Sequence, residues 1–259
     1  MEFDAAANAR RPGSDEDEAA ISETWSAKKR AHPRLFNGTK FRWAGWVHDC
    51  GIATIRLGLT SYRAFQGTNA SKNALSLVRA GLSRLRDPDA CVSNAVGIGM
   101  VVLTEDDQIL FIRRSEHVGE ARGLVDVVGG HAEPSAAGLA PARFDDTDAP
   151  GPGWEPHPRL RPVGVGPDAG EGAACSAGAA AVRELFSSPL DEVAEELNLP
   201  RAALGRPRLL GLARNYTTGG RVAAAYACEA RLRGRRGAGW QPRDPWGKPG
   251  AGGRETAGP

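Results

Sequence analysis

Apolar residues recur at helical spacing in three segments of the chain, and shorter apolar runs lie between these segments. Ile21 and Trp25 fall on one face of a helix predicted over residues 18–32, and a second amphipathic pattern predicts a helix over residues 74–85. Apolar runs bounded by turn residues predict strands over residues 52–59, 94–104, 109–113, 124–128, 209–213 and 222–232. The pattern therefore predicts a mixture of helices and strands.

Three stretches lack any such pattern. Residues 1–17 are small and charged, residues 135–175 are dominated by Pro, Gly and Ala, and residues 233–259 combine Gly, Pro and Arg with two tryptophans. Chains of this composition bury too little apolar surface to fold, so we expect all three stretches to be disordered. The remaining chain divides into a small α+β region over residues 18–90 and a main domain over residues 91–232 that contains the disordered insertion.

Composition and charge exclude several classes of function. Hydrophobic residues make up 41% and charged residues 25% of the 259 residues, and the net charge is +2. These values are typical of a soluble protein and give no electrostatic case for a nucleic-acid or membrane partner. The four scattered cysteines predict neither a zinc site nor a disulfide framework, and no apolar run approaches the roughly 20 residues that span a bilayer. We expect a soluble cytoplasmic or nuclear protein, whose oligomeric state the sequence does not reveal.

The most informative segment is an acidic helix predicted over residues 188–200, with the sequence SPLDEVAEELNLP and Ser188 as its N-cap. Its apolar residues share one face, and Glu192, Glu195 and Glu196 fall on the other side. Glu192 and Glu196 are one turn apart, so they repel each other unless a cation lies between them. Magnesium prefers such oxygen ligands, whereas an ordinary solvated acidic face is the alternative.

A glycine turn precedes this helix in the sequence GLVDVVGGHAEP, residues 123–134. The pair Gly129 and Gly130 would permit positive φ angles and a close approach of the backbone to a ligand. Asp126 lies inside an apolar strand, where an unpaired carboxylate is costly to bury, so we expect it to have a partner or ligand. Taken alone, the segment is equally well explained as a hairpin turn.

Together, the glycine turn and the acidic helix resemble the Nudix box. In that motif a glycine and a glutamate-containing loop precede a helix of the pattern R-E-U-x-E-E-x-G-U, where U is a bulky aliphatic residue. Gly130 and Glu133 match the loop, and residues 191–199 match the helix. The departures are Asp191 for the arginine, Asn198 for the glycine, Ala136 for the second glutamate of the loop, and the long insertion between the two halves.

Further segments extend the resemblance to one branch of the Nudix hydrolases, the UDP-glucose pyrophosphatases of animals. They are RLF at residues 34–36, RLGLTSYRAFQGTN at 56–69, FIRRS at 111–115 and GLARNYTTGGR at 211–221. The resemblance covers about residues 18–230 apart from the insertion. It implies a Nudix-type α/β/α sandwich with a mixed sheet, preceded by the small α+β region. Because the family continues with further sheet and a helix after residue 232, we expect this chain to be poorly stable or weakly active.

The resemblance implies hydrolysis of the pyrophosphate bond of UDP-glucose or UDP-galactose to UMP and a hexose 1-phosphate, with Mg²⁺ as cofactor. It makes Glu192 and Glu196 metal ligands and Glu195 a third catalytic residue. An aromatic side chain would stack on uracil and an arginine would pair with phosphate. The residues that it places around the nucleotide sugar are Phe36, Tyr62, Arg114, Gly119, Asp126, His131 and Glu133.

Three other functions stay open. A Nudix hydrolase for another nucleoside diphosphate derivative would release different products in a side-by-side turnover assay. A catalytically weak or inactive UDP-sugar-binding isoform is favoured by the missing arginine and the missing loop glutamate, and it predicts stabilisation by the ligand without hydrolysis. An unrelated α+β protein with an acidic helix would have to match five family segments by chance.

Overall fold

In a computed structural model that describes residues 1–115, 123–148 and 174–232, the N-terminal region forms a three-stranded sheet. Strand β2 (Thr39–Asp49) pairs antiparallel with β3 (Ile52–Ser61), and the short strand β1 (Glu2–Phe3) adds to the other edge of β3 in parallel. Three helices accompany this sheet: α1 (Asp15–Ala31), α2 (Tyr62–Gly67) and α3 (Ala74–Leu85).

The first 17 residues differ from the predicted disorder. Ser14 and Asp17 form a capping box, in which each side chain bonds the other residue's backbone N–H, so α1 begins at Asp15. The Asn8 side chain donates to the Leu57 carbonyl oxygen at 2.9 Å, which fixes the segment between β1 and α1. Polar side chains therefore order a stretch that has no apolar period.

The main sheet is built around a parallel pair of strands, β4 (Gly97–Thr104) and β10 (Arg221–Ala230). Antiparallel neighbours are β5 (Ile109–Leu110), β8 (Val128–Gly130) and β9 (Arg208–Asn215). The strand order is β5-β4-β10-β9, and β8 also pairs with β4. The strands β6 (Ile112–Arg113) and β7 (Val125–Asp126) pair with each other beside this sheet. The mixed α/β class is therefore confirmed.

One long helix, α4 (Ala174–Glu196), covers a face of the main sheet. Leu190 and Val193 of this helix, and Leu197 just after its end, pack in a cluster with buried side chains of β4 and β10. Each of these three side chains contributes about 1.5–3 kcal/mol by leaving water. The prediction of Ser188 as an N-cap is wrong, because the helix starts 14 residues earlier and Ser188 is buried in its interior. Pro189 also lies within the helix, which continues past it.

The segment 135–148 also differs from the predicted disordered insertion. Leu139 is only 7% exposed and lies in an apolar cluster with side chains of β2, α4 and β10. Asp146 accepts a hydrogen bond of 2.7 Å from the Trp25 indole and pairs with Lys29 at 3.1 Å. The segment is held in place by the buried Leu139 and by the contacts of Asp146 with α1. Composition alone predicts neither of these interactions. The last two residues of the predicted insertion, 174–175, lie in α4 instead. Its residues 149–173 and the predicted disordered tail, 233–259, lie outside the described residues.

Strand β9 stands out because all eight of its residues are exposed, although it pairs along β10. Leu210 is 62% exposed. The expectation of low stability is untested, but this is the part of the described sheet with the least cover. No helix in the three described ranges is both long and apolar enough to cross a membrane.

Candidate active site

The glycine turn lies directly against the acidic helix. A Cβ atom added to Gly130 would fall 1.9 Å from Oε1 and 2.4 Å from Cδ of Glu192, so the Glu192 carboxylate packs on the bare Cα of Gly130. A Cβ on Gly129 would meet the Ile98 carbonyl oxygen at 2.8 Å. Neither glycine has a positive φ angle, so the turn does not use the left-handed conformations that glycine permits. Both are glycines because a neighbour comes too close for a side chain.

Two glutamates of α4 bond to the backbone of this turn. The Glu133 N–H donates to Glu184 Oε1 at 3.1 Å, and the His131 N–H donates to the Glu192 carboxylate. Glu184 was not among the predicted site residues, because the acidic helix was expected to begin at Ser188 and in fact begins at Ala174. Had the helix been extended backwards, Glu184 would have fallen two turns before Glu192 and on a neighbouring line of the same helix. The two contacts fix the turn relative to the helix.

The three glutamates at the end of α4 interact electrostatically. Burial, together with the charges of Glu196 and Glu195, raises the pKa of Glu192 to about 7. Burial also raises the pKa of Glu196, while Arg114 opposes this rise and Asp126 adds to it. The glutamates therefore form one cluster of like charge, and it is close enough to Arg114 and Asp126 to feel both charges.

Arg114 and Asp126 lie next to each other beside the Glu196 end of the cluster. Arg114 follows β6, Asp126 ends β7, and Arg114 Nη1 is 3.7 Å from Asp126 Oδ2. The expectation that Asp126 has a partner agrees with this ion pair, although Asp126 is exposed rather than buried in an apolar strand. Gly119 lies outside the described residues.

On the other side of the turn, Glu133 faces the N-terminal region. Lys40 Nζ, from the start of β2, is 3.0 Å from Glu133 Oε1. Phe36 is 59% exposed, and its ring lies beside Gly38, 3.2 Å from where a Cβ of that residue would stand. Its exposed ring is available to a ligand, which a core position would not allow.

His131 and Tyr62 are connected through the ring of Phe65. The ring centroid of Phe65 is 6.5 Å from that of His131 and 6.5 Å from that of Tyr62. Burial, together with the charges of Lys40 and Arg221, lowers the pKa of His131 to about 3. His131 is therefore neutral at physiological pH. Tyr62 is half-buried and packs edge-on against Trp25, so its ring lies in an aromatic cluster with Trp25 and Phe65.

The arrangement brings carboxylates, two cations and a neutral imidazole around one glycine turn. Within residues 1–115, 123–148 and 174–232, no three His, Cys, Asp or Glu side chains form a group that could hold a metal ion by themselves. The glutamates could therefore hold a metal ion only together with ligands from another molecule. Substrate phosphates are such ligands, because Mg²⁺ is usually bound through one or two carboxylates together with substrate phosphates.

Comparison with known proteins identifies relatives over most of the chain. No family model matches. The human protein named uridine diphosphate glucose pyrophosphatase NUDT22 is 39% identical over 230 residues, which cover 85% of this chain and 64% of the human protein. The cattle protein of the same name is 36% identical, with 86% of this chain and 69% of the relative covered. Nudix hydrolase 9 of Arabidopsis thaliana is 31% identical over 76% of this chain and 58% of its own length. The chain thus spans just under two thirds of the human relative.

Proposed function

This chain belongs to the Nudix hydrolase family, and from that premise we propose that it hydrolyses the pyrophosphate bond of UDP-glucose or UDP-galactose. Water would attack one phosphorus, the bridging P–O bond would break, and UMP and a hexose 1-phosphate would leave. The names of the mammalian relatives support the substrate. The observation that carries the proposal is the contact of the Glu192 carboxylate with Gly130, which joins the two separated halves of the motif.

The finer architecture is part of this proposal. We propose the α/β/α sandwich of the family, of which the main sheet and α4 would be the central layer and one helical layer. The shared apolar cluster of β2, α4 and β10 ties the N-terminal sheet to the same body.

Magnesium is the cofactor that we propose, with Glu192 and Glu196 as its protein ligands. These residues fit the ion because burial and mutual repulsion raise the pKa of Glu192 to about 7, and a divalent cation would relieve that repulsion. When bound, magnesium supplies the positive charge that neutralises a diphosphate and activates water for attack. Glu195, exposed next to both ligands, would orient the attacking water.

The other predicted residues would bind and orient the nucleotide sugar. Arg114 can exchange its contact with Asp126 for a phosphate oxygen, since guanidinium groups pair strongly with phosphate. Neutral His131 can hydrogen-bond to sugar hydroxyls but cannot supply a positive charge. The exposed ring of Phe36 could stack on uracil, a contact worth about 1–3 kcal/mol. Tyr62, whose ring is held by Trp25 and Phe65, would contribute to binding the nucleotide sugar.

The test is turnover of UDP-glucose with and without magnesium, with UMP and glucose 1-phosphate as the measured products. Glu196→Gln should lower kcat by about 100-fold, because even the loss of a group that supports a metal ligand costs 10- to 100-fold. Glu229→Gln is the matched control, since Glu229 is an exposed glutamate on β10 that pairs with Arg208 at 3.7 Å. Equal UMP release from the wild type and Glu196→Gln would contradict the metal site.

A binding protein without turnover is the second candidate. Asp191 stands at the place of the motif's arginine and pairs with Arg201, so this position offers the glutamates no positive charge. Ala136 likewise supplies no loop carboxylate. This candidate predicts that UDP-glucose raises the melting temperature while no UMP appears.

A further inference from the structure

We infer that Lys40, on the first strand of the N-terminal hairpin, binds the diphosphate of the substrate. The inference rests on the proposed function, and it assigns the N-terminal sheet a direct role in the active site. Its starting point is the position of Lys40, which extends from β2 across to the loop of the Nudix box and contacts Glu133.

The ammonium group of Lys40 lies beside the glycine turn, and within the described residues it makes one hydrogen bond, to Glu133. Its side chain is 15% exposed, whereas the Glu133 side chain that it contacts at 3.0 Å is 52% exposed. An ammonium group has three N–H donors, and this contact uses one of them. A half-exposed ion pair contributes little to stability, so Lys40 can exchange Glu133 for a phosphate oxygen without loss of the fold.

The charge of Lys40 also reaches the carboxylate cluster. Burial is the main reason why the pKa of Glu192 is raised, and Lys40 is the cation that opposes this rise. Arg114 plays the same part for Glu196 at the far end of the cluster. Three glutamates repel a diphosphate that approaches them. Lys40 and Arg114, one at each end of the glutamate cluster, would offset this repulsion.

Phe36 lies on the same short stretch of chain as Lys40. Measured from the position of a Cβ on Gly38, the Phe36 ring is 3.2 Å away and Lys40 Nζ is 3.9 Å away. A flat exposed ring next to a lysine matches a ligand that has a base joined through a ribose to phosphates. Since a side chain at residue 38 would come between the two groups, the glycine keeps them on one continuous surface.

The test is the affinity for UDP and for uridine, measured by calorimetry in EDTA so that neither magnesium nor turnover contributes. Lys40→Met should weaken UDP binding at least tenfold, which corresponds to 1.4 kcal/mol, and should leave uridine binding unchanged. Lys40→Arg should keep most of the UDP affinity. Lys29→Met is the matched control, because Lys29 forms a similar pair with Asp146 at 3.1 Å away from the Nudix loop, and it should change neither affinity.

Inorganic pyrophosphate, which lacks the base and the sugar, separates phosphate binding from a merely structural ion pair. If Lys40 binds phosphate, Lys40→Met should weaken the binding of pyrophosphate about as much as that of UDP. If Lys40 only positions Glu133, Lys40→Met should leave pyrophosphate binding unchanged, and the inference is overturned. Equal loss of UDP and uridine affinity in Lys40→Met, or no UDP binding by the wild type, would overturn it too.

The two proposals fail in distinguishable ways. Lys40-dependent UDP binding without UMP release from UDP-glucose would leave the inference standing and remove the hydrolysis. Normal turnover with unchanged UDP affinity in Lys40→Met would remove the inference and leave the hydrolysis.

Discussion

Replacing Gly130 with alanine should remove most of the activity and leave the fold intact. The backbone at Gly130 does not have a positive φ angle, so alanine is tolerated there without strain. The added methyl group would stand 1.9 Å from Glu192 Oε1 and 2.9 Å from Oε2. The atoms in its way belong to the far end of a long side chain, which can move. The carboxylate, however, cannot stay where it is.

The size of the effect follows from these distances. Since contacts to a Cβ essentially never fall under 3.0 Å, the Glu192 carboxylate must retreat by more than 1 Å. A displacement of about 1 Å at a catalytic group costs on the order of 100-fold in rate. The cost in stability should stay within about 1 kcal/mol, because no backbone or core atom has to shift.

The assay compares Gly130→Ala with Gly211→Ala, measuring kcat/KM for UDP-glucose and the melting temperature of each variant. Gly211 lies in strand β9, lacks a positive φ angle and has no atom within 4 Å of an added Cβ, so this control should behave as the wild type does. Activity of Gly130→Ala within threefold of the wild type would show that Glu192 does not need its observed position. A large fall in its melting temperature would show that the glycine serves the fold instead.

Three further predictions concern stability, measured by urea denaturation. Burial alone would raise the pKa of Asp89, but its hydrogen bond from Arg214 lowers that pKa below its ordinary value. The charged Asp89 therefore stabilises the folded state above the unfolded pKa of about 3.9, and this stabilisation is lost as the pH falls through the folded pKa. Asp89→Asn should cost about 1.5–3 kcal/mol at pH 7 and little at pH 2, and a pH-independent loss would refute this. Leu139→Ala should cost about 2–5 kcal/mol, and a negligible loss would mean that segment 135–148 is not packed in the core. Leu210→Lys should change stability by less than about 0.5 kcal/mol, and a larger loss would mean that β9 is covered in solution.

The secondary structure was predictable wherever one face of an element is buried. Helix α3 has the predicted bounds, because its apolar spacing matches its burial on one side. Helix α4 was recognised only in its last third, since the proline at residue 189 resembles a helix start and nothing local reveals that the preceding turns continue into it. The order of residues 1–17 and 135–148 was not predictable, because a capping box, long-range hydrogen bonds and the packing of Leu139 produce it and none of these follows from composition.

The site was predictable in its chemistry but not in its geometry. The glutamates of the acidic helix and Glu133 could be named from the motif, yet the role of Gly130 depends on a contact with Glu192 across some sixty residues of chain. Lys40 carries no motif signal, and Glu184 lies in the segment RELFSS, residues 183–188, before the stretch that matches the helix of the Nudix box. They become visible only when β2 and the first half of α4 are placed against the turn.

The separation of the Nudix box into two stretches has a consequence for folding. Helix α4 packs on β8, and β10 lies along the full length of β4, so contacts between elements far apart in the sequence bring the two halves of the box together. Long-range pairings of this kind form slowly, so activity should return later than helix content when the unfolded protein is refolded.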